Sequence, residues 1–433
     1  MTMQPMHTIP ARGGIHYDES PFLAIWEVTQ SCDLACKHCR AAAQPIPHPD
    51  ELTHEEGKAL IDQIAQMQIP IFVFTGGDPL KRKDVFELIR YAAAKGVHVA
   101  VTPSATPLLT RQQIFKMKEA GVVRLGISLD GSTPEIHDAF RGLSGAWART
   151  IQAIEWAGEA GIPIQVHTTI SRHNAHDLDN LCNLFEKLAI VMWNVFFLVP
   201  VGRGQLDDLL SGEEFEQVFG KIYELSRRAN FQIKTTEAMH YRRYLLQHNL
   251  EEKKMAHGAG HPHGATYEPG AALKGHDFSC AEKATNKIEG ALAPAYEPGA
   301  PTSDGRTRAM SWATRRVNDG KGFVFISHVG NVYPSGFLPI HAGNIRETPL
   351  AEIYRNAPIF KALRDTKRLE GKCGACEYKE ICGGSRARAY AVTGDPLAQE
   401  PCCIYQPRNW DLELDSQAEA FRCQMASRMT VSK

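Results

Sequence analysis

From Phe22 to about Phe197 the chain alternates short β-branched runs with amphipathic helical stretches, six times over. That alternation dictates parallel strands, because a parallel pair needs a long crossover and a helix supplies it. The pattern predicts strands at 24–29, 71–75, 97–102, 122–128, 164–169 and 192–198, with helices near 53–67, 83–94, 110–120, 147–160 and 175–188. Thr53 with Glu56 spells a capping box, and Gly96, Gly121 and Gly161 fall just past helix ends. Periodicity alone leaves a barrel and a doubly wound sheet both open. In either, functional loops gather beyond the C-terminal ends of the strands.

Those loops hold the chemistry-bearing residues. After the first strand, Cys32, Cys36 and Cys39 stand as CxxxCxxC. Four cysteines normally hold a 4Fe-4S cluster, so three leave one iron open. A structural zinc wants four ligands, usually in CxxC pairs, and only His38 lies near enough to complete the set. Disulfides fit poorly with 11 clustered cysteines, an odd number, and a start at Met1 to Gly14 that lacks the apolar core of a secretory signal. A reducing cytoplasm is the expected setting. Gly76-Gly77-Asp78-Pro79 follows the second strand, Pro103-Ser104 the third, Asp130-Gly131 the fourth and Val199-Pro200 the sixth.

A net charge of −1 with 22% charged residues gives no electrostatic reason to bind nucleic acid or anionic lipid. No run of about 18 apolar residues occurs, so no membrane span is expected. The chain divides into a tail (1–21), a strand-helix domain (22–245), an irregular insert (246–320) and a C-terminal domain (321–433). His257, His261 and His263 lie in the Gly/Pro-containing insert and read as linker rather than metal ligands. Cys182 and Cys280 read as lone structural thiols. A hairpin is expected from Gly322 to Tyr333 and a helix over 349–364. Beyond it, Cys373, Cys376 and Cys382, with Cys402 or Cys403, offer four thiolates. Iron–sulfur and zinc both suit that set.

CxxxCxxC after one strand and Gly-Gly-Asp-Pro after the next resemble the radical S-adenosylmethionine (SAM) enzymes, and the C-terminal cysteines resemble their SPASM or twitch extension. The resemblance implies an α/β fold, a partial (β/α)6 TIM-like barrel carrying a small iron–sulfur domain. It implies that the open iron of the cluster on Cys32, Cys36 and Cys39 chelates SAM, whose reductive cleavage gives a 5'-deoxyadenosyl radical for hydrogen abstraction. By the same resemblance Gly76, Gly77, Asp78 and Pro79 meet the SAM amine, with Asp78 in place of the commoner glutamate. Ser128 and Asp130 match positions that reach the SAM carboxylate and ribose, and Arg141 and Arg203 are candidate carboxylate clamps. Ser335 and Arg386 stand where further SPASM cysteines are expected, which implies one auxiliary 4Fe-4S cluster on Cys373, Cys376, Cys382 and Cys403. Cys403 is preferred to Cys402 because Pro401-x-Cys403-x-Tyr405 fits the closing motif.

The stretch from Cys382 to Ala391, with Thr393-Gly394-Asp395, resembles the branch that alters tetrapyrrole side chains in heme biosynthesis. Arg386 and Arg388 then either bind substrate carboxylates or balance the cluster's charge. The branch implies an oxidative carboxyl side-chain reaction with SAM consumed and a flavodoxin- or ferredoxin-type electron donor. A peptide-modifying maturase is the alternative; only some twenty residues precede the barrel, which tilts the balance toward a small molecule. A noncatalytic electron carrier would have no use for the SAM loops.

Overall fold

The computed structural model describes residues 16–257, 316–408 and 410. His261, His263 and Cys280 therefore lie outside the described residues. One sheet of ten strands organises everything else, in the order β10-β9-β8-β1-β2-β3-β4-β5-β6-β7. Strands β1 (Leu23–Glu27), β2 (Ile71–Thr75), β3 (Val99–Val101), β4 (Val122–Ser128), β5 (Ile164–Ile170) and β6 (Met192–Phe197) are parallel neighbours in chain order, joined by helices α1 (His54–Gln66), α2 (Val85–Ala94), α3 (Arg111–Ala120), α4 (Pro134–Arg141) with α5 (Ala146–Glu159), and α6 (Leu178–Phe185).

Two additions enlarge the six-strand expectation. After α7 (Gly212–Arg228) a seventh parallel strand, β7 (Gln232–Thr236), pairs with β6 and leads into α8 (Tyr241–His257). The C-terminal hairpin of β8 (Phe323–Ile326) and β9 (Asn331–Tyr333), extended by β10 (Gly343–Asn344), does not stand apart either: β8 pairs parallel with β1. The C-terminal domain thus continues the barrel wall.

Alternation along each strand explains the layering. In β2, Phe72 and Phe74 point outward and are fully buried with Trp26 against Leu60, Ile61 and Ile64 of α1 and Leu88 of α2. Burying each such aromatic contributes about 1.5–3 kcal/mol. Gly57 on α1 gives the Trp26 ring its space, since a β-carbon there would lie 2.8 Å from Cη2. The intervening residues, Ile71, Val73 and Thr75, face a lumen lined by residues of every strand from β1 to β8. That arrangement makes the sheet an open barrel.

Thr53 caps α1 with Glu56 as the capping box requires. The helix expected over 349–364 is two, α9 (Leu350–Asn356) and α10 (Pro358–Arg364). Pro358 forbids continuity: it lacks an N–H and pushes Ala357 to an extended ψ of 133°. Among the described residues no helix is long and apolar enough to cross a membrane.

Candidate functional site

A cavity of about 1240 Å³ runs from the CxxxCxxC loop down the lumen and across to Ser335, Gly336 and Phe337 beyond the hairpin. Cys32, Cys36 and Cys39 all line it. Each thiol has a donor beside it: Leu34 N lies 3.4 Å from Cys32 Sγ, Ala43 N lies 3.5 Å from Cys39 Sγ, and Arg141 Nη1 lies 3.8 Å from Cys36 Sγ. Donors aimed at sulfur are what a cluster's thiolates need around them. Burial pushes the thiols of Cys32 and Cys36 up, so iron must displace protons to bind there. Three thiols with supporting donors and an open cavity in front fit a three-cysteine cluster.

Neighbouring loops hold this one by close backbone approach. A β-carbon on Gly77 would lie 2.6 Å from the carbonyl oxygen of Gln30, while Asp78 N donates to Ser31 O at 2.7 Å. Gly202, at φ 65°, lies so tightly under the Cys39 carbonyl that no side chain fits, and Arg203 donates from N to Cys39 O at 2.9 Å and from Nε to Cys36 O at 2.8 Å. Arg203 therefore secures the cluster loop, a use its motif did not disclose.

The residues assigned to SAM by resemblance separate into two groups. Gly76, Gly77, Ser128 and Arg141 line the cavity. Asp78, Pro79 and Asp130 stand behind it. Asp78 is fully buried, accepting from Leu80 N at 3.1 Å and Thr106 Oγ1 at 2.8 Å, so its carboxylate braces the loops after β2 and β3. Pro79 opens the 3-10 turn that Asp78 caps. Asp130 accepts from Thr169 N at 2.7 Å and from Arg141 Nε at 2.7 Å. It orients the guanidinium that faces the cavity.

The second thiol group lies across the C-terminal domain. Tyr378 N, Gly384 N and Glu400 N point at the sulfurs of Cys376, Cys382 and Cys373 at 3.4, 3.4 and 3.3 Å. Burial pushes Cys376 up to about 12 and Cys403 to about 11, and the charges of Cys373 and Cys403 add to the rise at Cys376. Cys402 turns the other way: its thiol meets Leu210 O at 3.8 Å inside the hydrophobic core. Among the described residues no three His, Cys, Asp or Glu are gathered about a point that holds a single ion.

Arg386 and Arg388 do not reach the cavity. Arg386 donates to Ala398 O at 2.6 Å and Pro396 O at 3.0 Å and sets Nη2 3.7 Å from Cys373 Sγ. Arg388 is fully buried against Glu237 O, Glu400 and the ring of Phe215. Their guanidinium groups brace the domain, and Arg386 also sets a donor beside the Cys373 thiol.

Sequence reasoning missed the join where β7 faces the segment before β8. Glu237, at φ 57° and buried, bonds Ser385 Oγ and shares its surroundings with Asp319, and Arg242 reaches Ile381 O at 2.9 Å. Glu237 and Asp319 line the cavity. No local pattern marks either one, because the join exists only after β8 docks on β1.

This fold, with three cysteines lining its cavity and four more in the C-terminal domain, defines a class. The profile of the Radical SAM superfamily matches residues 26–185, and that of SPASM, an iron-sulfur cluster-binding domain, matches 318–377. Streptococcus suis SuiB bound to S-adenosylmethionine shares the fold at TM-score 0.61 and 14% identity, over 89% of this chain and 78% of that one. Native anSMEcpe with bound AdoMet does so at TM-score 0.60 and 14% identity, over 94% and 97%. The protein is a radical SAM enzyme with an iron–sulfur SPASM domain.

Within that class it belongs to the heme-biosynthesis branch. It is 39% identical over 388 residues to the AdoMet-dependent heme synthase of Nitratidesulfovibrio vulgaris, covering 89% of this chain and 93% of the relative. The AdoMet-dependent heme synthase of Methanosarcina barkeri is also 39% identical, over 90% and 97%. Fe-coproporphyrin III synthase of the same organism is 29% identical over 401 residues, covering 89% of this chain and 88% of the relative.

Proposed function

We propose that this enzyme oxidatively modifies carboxyl side chains of an iron-containing tetrapyrrole, with Fe-coproporphyrin III as the substrate to try first. The observation that carries this reading is 39% identity across nearly the whole chain to AdoMet-dependent heme synthases. The cavity that Cys32, Cys36 and Cys39 line also reaches Asn318, which donates to Cys382 O at 3.3 Å; this supports the reading, because an electron leaving the substrate needs an acceptor nearby. When bound, the first cluster and SAM supply the 5'-deoxyadenosyl radical.

The chain's own residues then divide the work. Cys32, Cys36 and Cys39 hold the cluster; Gly76 and Gly77 admit SAM against the loop backbone; Ser128 and Arg141 face its polar end. Asp78, Pro79 and Asp130 keep those groups in place from behind. Cys373, Cys376, Cys382 and Cys403 hold the auxiliary cluster, Cys402 being turned into the core. The apolar part of the lumen wall, Ile25, Val73 and Phe325, keeps water from reactive carbon. The barrel takes residues 22–245 and the auxiliary-cluster domain 321–433, between a tail of 1–21 and an insert of 246–320. A flavodoxin- or ferredoxin-type protein provides the electron, and the setting is the cytoplasm.

Anaerobic enzyme incubated with dithionite, SAM and Fe-coproporphyrin III is expected to yield 5'-deoxyadenosine and a tetrapyrrole lighter by a carboxyl group, read by mass spectrometry. Deoxyadenosine without any change in the tetrapyrrole would overturn the substrate assignment. Modification of a peptide instead would return the maturase alternative.

A further inference from the structure

Strand register places a polar row across half of the lumen. Ser128 of β4 is paired with His167 of β5, His167 with Asn194 of β6, and Asn194 with Lys234 of β7. All four line the cavity. The opposite wall carries an apolar row: Phe325, Ile25, Val73 and Ala100 are register neighbours across β8, β1, β2 and β3, and that row meets β4 at Arg124. Ser128, at one end of the row, is the residue that faces SAM in the proposed function, so the row begins beside the cofactor.

The row is rich in donors. Asn194 is buried, and its Oδ1 already accepts from Thr236 Oγ1 at 2.8 Å, which leaves its amide hydrogens to serve another acceptor. Lys234 brings a cation whose field, after burial itself, pushes His167 down to about 3, so the imidazole stays neutral and does not compete as a second charge. Gly126 makes room for that ring: a β-carbon there would lie 2.9 Å from His167 Cε1. An ammonium and an amide side by side, opposite aliphatic and aromatic walls, suit an anion attached to a large apolar body.

We infer that Lys234 and Asn194 form a carboxylate subsite, holding one carboxylate side chain of the substrate while its apolar ring system lies toward Phe325, Ile25 and Val73. Lys234 is a positioning and specificity residue in this assignment, and the inference rests on the tetrapyrrole reading of the preceding subsection.

Fe-coproporphyrin III is coloured, so binding to the cluster-loaded enzyme is read directly from the shift of its Soret band, without turnover. Lys234→Gln is expected to weaken binding of the free acid by about ten- to a hundredfold, the loss of one hydrogen bond to a charged group, and to raise KM more than it lowers kcat. Lys234→Arg should restore most of the affinity. The tetramethyl ester of the same metalloporphyrin should bind wild type and Lys234→Gln alike, and iron content should match in all three proteins. Equal affinity of the acid for wild type and Lys234→Gln would overturn the subsite, as would equal weakening of acid and ester, which would mark a packing defect. Wild-type enzyme that fails to bind the acid at all removes the substrate reading and the subsite with it, whereas binding by wild type that Lys234→Gln leaves untouched removes the subsite alone.

Discussion

Arg141 stands between a carboxylate and a thiol: Nε donates to Asp130 Oδ2 at 2.7 Å while Nη1 lies 3.8 Å from Cys36 Sγ. Asp130 is fully buried, and α4, whose last residue is Arg141, carries the guanidinium over the first cysteines. The pair ties the end of β4 to the cluster loop. Burying two charges is tolerable only while each has the other.

Asp130→Asn keeps the shape and removes the charge. Leaving Arg141 without its partner is expected to cost about 3–5 kcal/mol of stability, measured by anaerobic urea unfolding, and to weaken SAM affinity because the guanidinium loses its orientation. Unchanged stability and SAM binding would show that the pair braces nothing.

Adjacent cysteines should behave as opposites. Cys403→Ser is expected to lower iron from about eight to about four per chain, since two four-iron clusters become one, while Cys402→Ser keeps its iron and loses only a buried thiol packed by Leu210. Iron analysis after anaerobic reconstitution decides between them. Loss of iron in Cys402→Ser alone would reverse the assignment.

Gly77→Ala puts a methyl group 2.6 Å from the Gln30 carbonyl oxygen, and backbone must move to relieve it. Overpacking of this kind costs about 1–3 kcal/mol. Because the displaced strand end leads straight into Cys32, the first cluster's iron and the SAM response should fall while the auxiliary cluster persists.

How much of this was legible in the sequence depends on the range of the forces involved. The six core strands and the Thr53 cap are local patterns, and β2 and β4 match the expected bounds. Strand β7 was not legible, because Gln232-Ile233-Lys234-Thr235-Thr236 has a single apolar residue and no alternation. Its pairing with β6 comes from tertiary context. Docking of β8 beside β1 joins segments some three hundred residues apart, which periodicity cannot see. At the site, CxxxCxxC singled out Cys32, Cys36 and Cys39, which all line the cavity, but not that Asp130 serves Arg141 or that Arg386 and Arg388 are buried braces. Side-chain direction is set by packing that spacing does not encode.

Glu237 supplies a pH signature. Burial first, and then the charge of Asp319, lifts its carboxyl well above the ordinary 4.5. The folded chain therefore holds a proton that the unfolded chain releases, so this contribution to stability is full below about pH 4.5 and is lost as pH rises through the raised folded value. Glu237→Gln, which keeps a partner for Ser385, should make the unfolding midpoint fall less between pH 5 and 8 than in wild type. An identical pH slope in both proteins would contradict the buried proton.

The central claim is that the iron left open by Cys32, Cys36 and Cys39 binds SAM. EPR of the dithionite-reduced Cys373→Ala/Cys376→Ala/Cys382→Ala enzyme, which retains only the first site, tests it most directly. A reduced cluster signal that changes shape on adding SAM, and is absent when Cys32, Cys36 and Cys39 are replaced instead, is the predicted result. A signal indifferent to SAM, or a site that takes up zinc and no iron, would contradict the account.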